Sequence, residues 1–262
     1  MKKLLFPNLL LCLGSLFLFA SCEENEPDLP SCTDVHWNYD NSTEEGPDNW
    51  GELCVDYTDC GGAVQSPVNI AGASDDAALK AVEEVFSNTG THIVNNGHTI
   101  QFNTDAGTTL TYEGQTYKLL QFHTHTPSEH TVNGVSYPME VHFVHKNDAT
   151  GQLSVIGVLV SEGADNAFLE QFIHHLPATA DAKYDDAALT YSIDDFLPAN
   201  KSYFTYNGSL TTPPCSEIVT WLVLENHVEA SHEQIEEFHA LEHSNNRPVQ
   251  DLLGRTLKRY HM

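Results

Sequence analysis

The chain is written in short β-forming runs, and that pattern confines the folds open to it. Six segments carry the signal: His98–Asn103, Thr108–Tyr112, Tyr117–His125, Met139–Val144, Leu153–Val160 and Glu217–Leu224. Turn residues part them, as at Asn96-Gly97, Asn133-Gly134 and Pro213-Pro214, because glycine, asparagine and proline supply the backbone angles that a reversal needs. Two segments read as helices. Asn166–Leu176 spaces Phe168, Phe172 and Leu176 four apart and stops at Pro177. The other opens on Ser231-His232-Glu233-Gln234, a capping-box pattern, and runs to about Leu241. Ala77–Phe86 has helical propensity as well. The fold class is mostly β (α+β): one domain, a largely antiparallel sheet and a few peripheral helices.

A chain of 262 residues with 40% apolar content supports one sizeable core. Its 37 acidic residues against 11 basic ones give a formal charge of −26. Binding to a phosphate backbone or to anionic lipid needs Lys and Arg, so this balance excludes a nucleic-acid partner and electrostatic membrane docking.

The first residues read as an address. A basic Met1-Lys2-Lys3 precedes the apolar run Leu4–Ala20, which Pro7-Asn8 interrupts. That run falls short of the roughly 20 residues of a spanning helix and reads as a secretory signal. Phe19-Ala20-Ser21-Cys22 resembles the processing site of bacterial lipoproteins, with Phe19 in place of the usual Leu. Cys22 would then be lipidated, and Glu23-Glu24-Asn25-Glu26 resembles tethers that carry such proteins to the outer surface. Plain secretion with cleavage near Ala20 is the other reading. The expected organisation is a signal peptide over 1–21, a flexible acidic tether over 22–33 and one domain over 34–262. The expected location is the periplasm or cell surface, anchored by lipid to the outer membrane.

Of the six cysteines, Cys12 leaves with the signal and Cys22 is consumed by lipid. Cys32, Cys54, Cys60 and Cys215 remain, an even number that suggests two disulfides in an oxidising compartment, with three pairings open. There is no Cys-x-x-Cys spacing, which speaks against a thiolate metal site.

Chemistry concentrates in Gln121-Phe122-His123-Thr124-His125 and Met139-Glu140-Val141-His142-Phe143-Val144. Side chains alternate across a strand, so His123 and His125 share one face, and Glu140, His142 and Val144 share another. If those faces meet, three imidazoles converge. Three neutral nitrogens with an open fourth position make the donor set of a catalytic zinc site, although imidazole also suits copper, iron and nickel. A ligating imidazole needs its second nitrogen held, and Gln121 and Glu140 stand on the right faces to do so. His130 and His145 are assigned to structure; His227, His232, His239, His243 and His261 fall in polar surface segments.

These blocks resemble an α-class carbonic anhydrase, and the likeness extends beyond the histidines. It runs through His36-Trp37-Asn38-Tyr39, Gln65-Ser66-Pro67-Val68-Asn69-Ile70, Asn95-Asn96-Gly97-His98 and Ser128-Glu129-His130-Thr131-Val132. It continues in Tyr206-Asn207-Gly208-Ser209-Leu210-Thr211-Thr212-Pro213-Pro214-Cys215, Trp221 and Asn246-Arg247-Pro248-Val249-Gln250. The resemblance implies a twisted, mostly antiparallel sheet of about ten strands, with Ala81–Asn88 as strand, around one zinc ion. It implies that His123, His125 and His142 ligate zinc, and that a zinc-bound hydroxide attacks carbon dioxide. Thr211 would hold that hydroxide and donate to Glu129, with Thr212 beside the substrate. Val144, Val155, Leu210 and Trp221 would form the apolar wall for carbon dioxide. His98 would shuttle protons, with Tyr39, Asn96 and Gln101 along the water chain; Gln101 stands where family members often have Asn. The resemblance also implies a Cys60–Cys215 disulfide, and with it Cys32–Cys54.

Two other readings compete: a zinc hydrolase of activated esters, and a surface protein that keeps the fold only to bind a ligand or scavenge zinc.

Overall fold

The computed structural model describes residues 29–262; the leader, Cys22 and the start of the tether lie outside the described residues. The main sheet has thirteen strands. A path of ten runs Lys183–Tyr191, Thr89–Asn95, Ile100–Asn103, Gln115–His125, Met139–Lys146, Leu153–Glu162, Val219–Leu224, Tyr203–Gly208, Lys258–Tyr260 and Ser74–Asp75. Glu83–Val85, Thr109–Tyr112 and Val228–Ala230 join it off that path. Most pairs are antiparallel. Leu153–Glu162 pairs in parallel with Val219–Leu224 and with Val228–Ala230, and so does Lys258–Tyr260 with Ser74–Asp75, so the sheet is mixed.

All six β segments read from the sequence are strands. Three further strands, Thr89–Asn95, Lys183–Tyr191 and Tyr203–Gly208, carry weaker patterns. The Lys183–Tyr191 strand lies at the edge and is largely solvated, so it lacks the apolar signal that marks a buried strand. The helical reading of Ala77–Phe86 is corrected: Glu83–Val85 is a strand paired with Thr109–Tyr112, inside the range that the resemblance implied. Leu79, Val82 and Phe86 mimic a helical spacing, yet all three pack on the core from a segment that forms no helix. Long-range pairing has overridden local propensity.

Alternation divides the sheet into two faces with different chemistry. Phe102, Phe122, Phe143, Ile156 and Leu222 are successive register partners across five strands. Their rings and branches form the larger core; Phe102 and Phe122 stack at 4.4 Å. Each such side chain, fully buried, contributes roughly 1.5–3 kcal/mol. Helices Ala167–Ile173 and His232–Glu242 cover that face with Phe168, Phe172, Ile235 and Phe238. Asn166 caps the first through Phe168 and Leu169 N–H, and Ser231 with Gln234 closes the capping box of the second.

The adjacent row of partners, Gln101, His123, His142, Gly157 and Val223, looks to the other side. There a smaller cluster holds Val68, Val144, Val155, Tyr206 and Trp221. A third cluster joins Trp50 and the Cys60–Cys215 disulfide to Trp37 and Tyr39. The other disulfide links Cys32 to Cys54. Among the described residues no helix is long and apolar enough to cross a membrane.

Candidate metal centre

His142 lies opposite His123, and Glu140 opposite His125, on the antiparallel pair Gln115–His125 and Met139–Lys146. This register brings the three rings together, with centroids 4.6–5.3 Å apart. Each ring has one nitrogen committed to an acceptor. His123 Nδ1 donates to Gln121 Oε1 at 2.9 Å, His125 Nδ1 to the Asn245 carbonyl at 2.8 Å, and His142 Nε2 to Glu140 Oε1 at 2.9 Å. A carbonyl or carboxylate oxygen only accepts, so the hydrogen sits on the committed nitrogen and the other keeps its lone pair. Those free nitrogens lie within 4.8 Å of one another and can hold a metal ion.

Burial keeps the rings neutral. It pushes His125 down to about 4 and lowers His142, while burial and repulsion from its two neighbours hold His123 well below the usual imidazole range. A metal needs its imidazoles unprotonated. The buried His125 Nε2 has no hydrogen-bond partner, nor has Glu129 Oε2, 3.5 Å away. Unpaired buried polar atoms are costly; a divalent cation on the three neutral imidazole nitrogens gives His125 Nε2 its partner, while the Glu129 carboxyl faces Thr211. The residues fit the ion.

A second cluster of donors, His130, Glu140 and His142, also meets within 4.8 Å. Its atoms are already committed. Glu140 Oε1 accepts from both rings, and Oε2 accepts from the Glu129 and His130 N–H groups. His130 Nε2 meets the Tyr206 hydroxyl at 2.6 Å, and that hydroxyl donates to Ser66 Oγ. Burial favours a protonated Glu140, but His130 and His142 outweigh it and hold the carboxyl well below its ordinary range. The cluster is a closed network that orients His142.

Thr211 is buried on the loop after the Tyr203–Gly208 strand. The Cys60–Cys215 bond, Leu210 N–H to the Ser216 carbonyl and Cys215 N–H to the Thr212 carbonyl fix that loop. Glu129 Oε1 accepts the Arg247 N–H at 2.9 Å. Burial pushes Glu129 up to about 7, against the pull of His142, Thr211 and Arg247. Thr211 acts on the carboxyl, yet Oε2 has no partner in good hydrogen-bond geometry. Val144, Val155 and Trp221 form one apolar cluster with Leu210 packed against it, and the Trp221 ring lies 4.8 Å from that of His142. Thr212 is half-buried beside Thr211.

Two of the remaining residues, Tyr39 and His98, line one cleft. His98 is half-buried, its ring stacked 3.7 Å from Trp37, and burial and then His36 lower its pKa. Asn96 Oδ1 accepts the His98 and Thr99 N–H groups and so shapes the turn. Gln101 Nε2 donates to Asn103 Oδ1. The Tyr39 hydroxyl is buried and unpartnered. Sequence reasoning missed Asn245, whose part is played by a backbone carbonyl and leaves no residue-type signal. It also missed Gly157, opposite His142, and Arg247, whose guanidinium donates to Gln65, Ser66 and Cys60.

The chain is similar to known proteins over nearly this whole range. The profile of the family described as eukaryotic-type carbonic anhydrase matches residues 45–261. A carbonic anhydrase of Pectobacterium atrosepticum is 43% identical over 225 residues, covering 85% of this chain and 90% of the relative. A solved hyperthermostable carbonic anhydrase from a hydrothermal vent chimney superposes with a TM-score of 0.81 at 43% identity, covering 86% and 99% of the two chains. The α-carbonic anhydrase of Thermovibrio ammonificans, solved with the inhibitor sulfanilamide, gives 0.82 at 39% identity, covering 86% and 100%. The chain belongs to the eukaryotic-type, or α-class, carbonic anhydrase family of enzymes.

Proposed function

We propose that the protein hydrates carbon dioxide reversibly to bicarbonate and a proton, with one zinc ion held by His123, His125 and His142. The convergence of three neutral imidazole nitrogens, each with its second nitrogen anchored, supports this most strongly. Bound zinc makes water a nucleophile at neutral pH by lowering its pKa from 15.7 to about 7, a value established for carbonic anhydrases in general.

The chain's own residues supply position and proton handling. Gln121, Glu140 and the Asn245 carbonyl set the tautomer of each ring. Glu129 only accepts when ionised, so Thr211 donates to it and turns its oxygen lone pair toward the attacking water. Val144, Val155, Leu210 and Trp221 offer an apolar wall that desolvates and places a small linear substrate, with Thr212 beside it. His98 carries the released proton to solvent, with Tyr39, Asn96 and Gln101 along the route.

The leader adds the address: a signal peptide over 1–21, lipid on Cys22 and a tether over 22–33, placing the domain of 34–262 outside the cytoplasm on the outer membrane. Two disulfides fit that oxidising setting.

A stopped-flow pH-indicator assay of carbon dioxide hydration tests the reading. Zinc-loaded protein should be active, lose activity to a chelator and be blocked by sulfanilamide. His98→Ala should slow hydration at low buffer concentration, with recovery on adding imidazole. An inactive, fully zinc-loaded protein would overturn the proposal.

A further inference from the structure

The ladder that joins Ile100–Asn103 to the strand Gln115–His125 has three pairs: Gln101 with His123, Phe102 with Phe122 and Asn103 with Gln121. It stops short of the turn that carries His98. That turn is closed on itself, since the Asn96 N–H donates to the Thr99 carbonyl and Asn96 Oδ1 accepts the His98 and Thr99 N–H groups. Sheet pairing therefore leaves open where His98 stands relative to His123 and His125.

Two buried side chains, Glu242 at the end of the His232–Glu242 helix and Asn245 three residues on, close that gap. Asn245 Nδ2 donates to the His98 carbonyl at 3.1 Å and to the Thr124 carbonyl at 3.0 Å. Glu242 Oε1 accepts from the Ile100 N–H at 2.7 Å and from the Thr124 hydroxyl, and Thr99 Oγ1 lies 3.0 Å from it. Thr99 has one hydroxyl hydrogen, and the Thr124 carbonyl at 2.6 Å is its nearer acceptor. The same segment holds the end of the strand. Asn245 Oδ1 accepts the Thr126 N–H at 2.8 Å, the His243 carbonyl accepts from Thr126 Oγ1 at 3.2 Å, and the Asn245 carbonyl accepts from His125. Ile235 and Phe238 seat the helix in the larger core. One anchored helix end thus grips both the turn of His98 and the run Thr124–Thr126. Buried polar groups are costly to leave unmet, which keeps the clamp shut.

We propose that Glu242 and Asn245 are positioning residues for the proton exit, setting where His98 stands relative to the metal centre. The proposal rests on the carbonic anhydrase reading above. Position matters because a proton acceptor must stand within hydrogen-bond reach or one water of its donor. Glu242 serves as an acceptor only. Its Oε1 receives every bond of the clamp and Oε2 has no partner, so a glutamine carbonyl can do the same work.

The test measures hydration by zinc-loaded parent, E242M, E242Q, H98A and E242M/H98A at low buffer and at high imidazole. Methionine keeps the side-chain length and removes the acceptor. High imidazole replaces His98 and reports the zinc step, so the ratio of the two rates reports the shuttle. That ratio should fall roughly tenfold in E242M, no further than in H98A, because a displacement of about 1 Å is costly in a reacting group. It should stay at the parent value in E242Q. E242M/H98A should match H98A, since the clamp acts through His98 alone. An unchanged ratio in E242M, an equal fall in E242Q, or a further fall in the double variant overturns the proposal. Thr99→Val keeps the side-chain shape, removes one bond of the clamp and should lower the ratio roughly threefold. It carries the test where E242M does not fold, and there an unchanged ratio overturns the proposal. A readout free of turnover is proton NMR of the His98 ring, which stacks on Trp37. Its resonances should move in E242M and hold in E242Q; resonances that hold in both overturn the clamp. Hydration by the parent protein, measured first, separates failure of the clamp from failure of the family reading.

Discussion

Gly157 stands directly across the sheet from His142, and a Cβ at position 157 would come within 2.9 Å of Glu140 Oε1. The missing side chain leaves the space in which the carboxylate reaches His142 and His130. The room behind His142 is therefore set by a glycine on a third strand.

Gly157→Val should push Glu140 off His142 Nε2 and leave that ring without its anchor. Loss of such a partner typically costs 10–100-fold in metal affinity. Competition against a chromophoric chelator should show zinc binding weakened by roughly tenfold or more. Unchanged affinity would mean that Glu140 can yield without releasing His142.

Two buried histidines should each weaken the fold as pH falls below about 6.5, opposed over the same range by Glu129 and Glu242, whose carboxyls burial pushes up to about 7 and about 8. Burial pushes His125 and His145 each to about 4 in the fold, while the unfolded chain protonates them near 6.5. Above pH 6.5 both states are neutral and stability is intact. Between 6.5 and about 4 only the unfolded state gains protons, at a cost on the order of 3 kcal/mol per histidine. Release of the proposed zinc would add to the loss, because imidazole ligands must be unprotonated. Urea midpoints should therefore fall more between pH 7 and pH 4.5 in the parent protein than in His145→Gln; an equal change in both would contradict the buried neutral ring of His145.

The two disulfides should differ in weight. Cys60–Cys215 spans 155 residues of sequence and Cys32–Cys54 spans 22. Chain entropy assigns roughly 4–5 kcal/mol to the long loop and about 3 to the short one. C60S/C215S should lower the denaturation midpoint more than C32S/C54S, and should slow hydration by loosening the Thr211 loop. Mass spectrometry of unreduced peptides should recover both links; a Cys54–Cys215 link would refute the pairing.

Trp37→Ala should free the His98 ring, which now stacks on the indole. With less burial, the His98 pKa should rise toward the ordinary imidazole value, as proton NMR of the ring would report. No rise would show that the indole is not what buries the ring.

Local covalent periodicity was enough to set much of this protein. Alternation puts His123 with His125, and Glu140 with His142 and Val144, whatever the strands later pair with, because successive side chains point to opposite faces. Ser231 and Gln234 mark their helix start by short-range capping. Tertiary structure alone decided which strands became neighbours. Leu79, Val82 and Phe86 carried a helical spacing, but Glu83–Val85 found an extended partner in Thr109–Tyr112. The polar Lys183–Tyr191 strand has no pattern of its own and exists because Thr89–Asn95 offers it an edge. The anchors of the centre show the same divide. Gln121 and Glu140 lie two residues from His123 and His142, whereas His125 depends on a carbonyl 120 positions away. Glu242 meets Thr99 across 143. Such distant contacts leave no local trace, since they arise only when burial of both sheet faces selects one pairing for the whole chain.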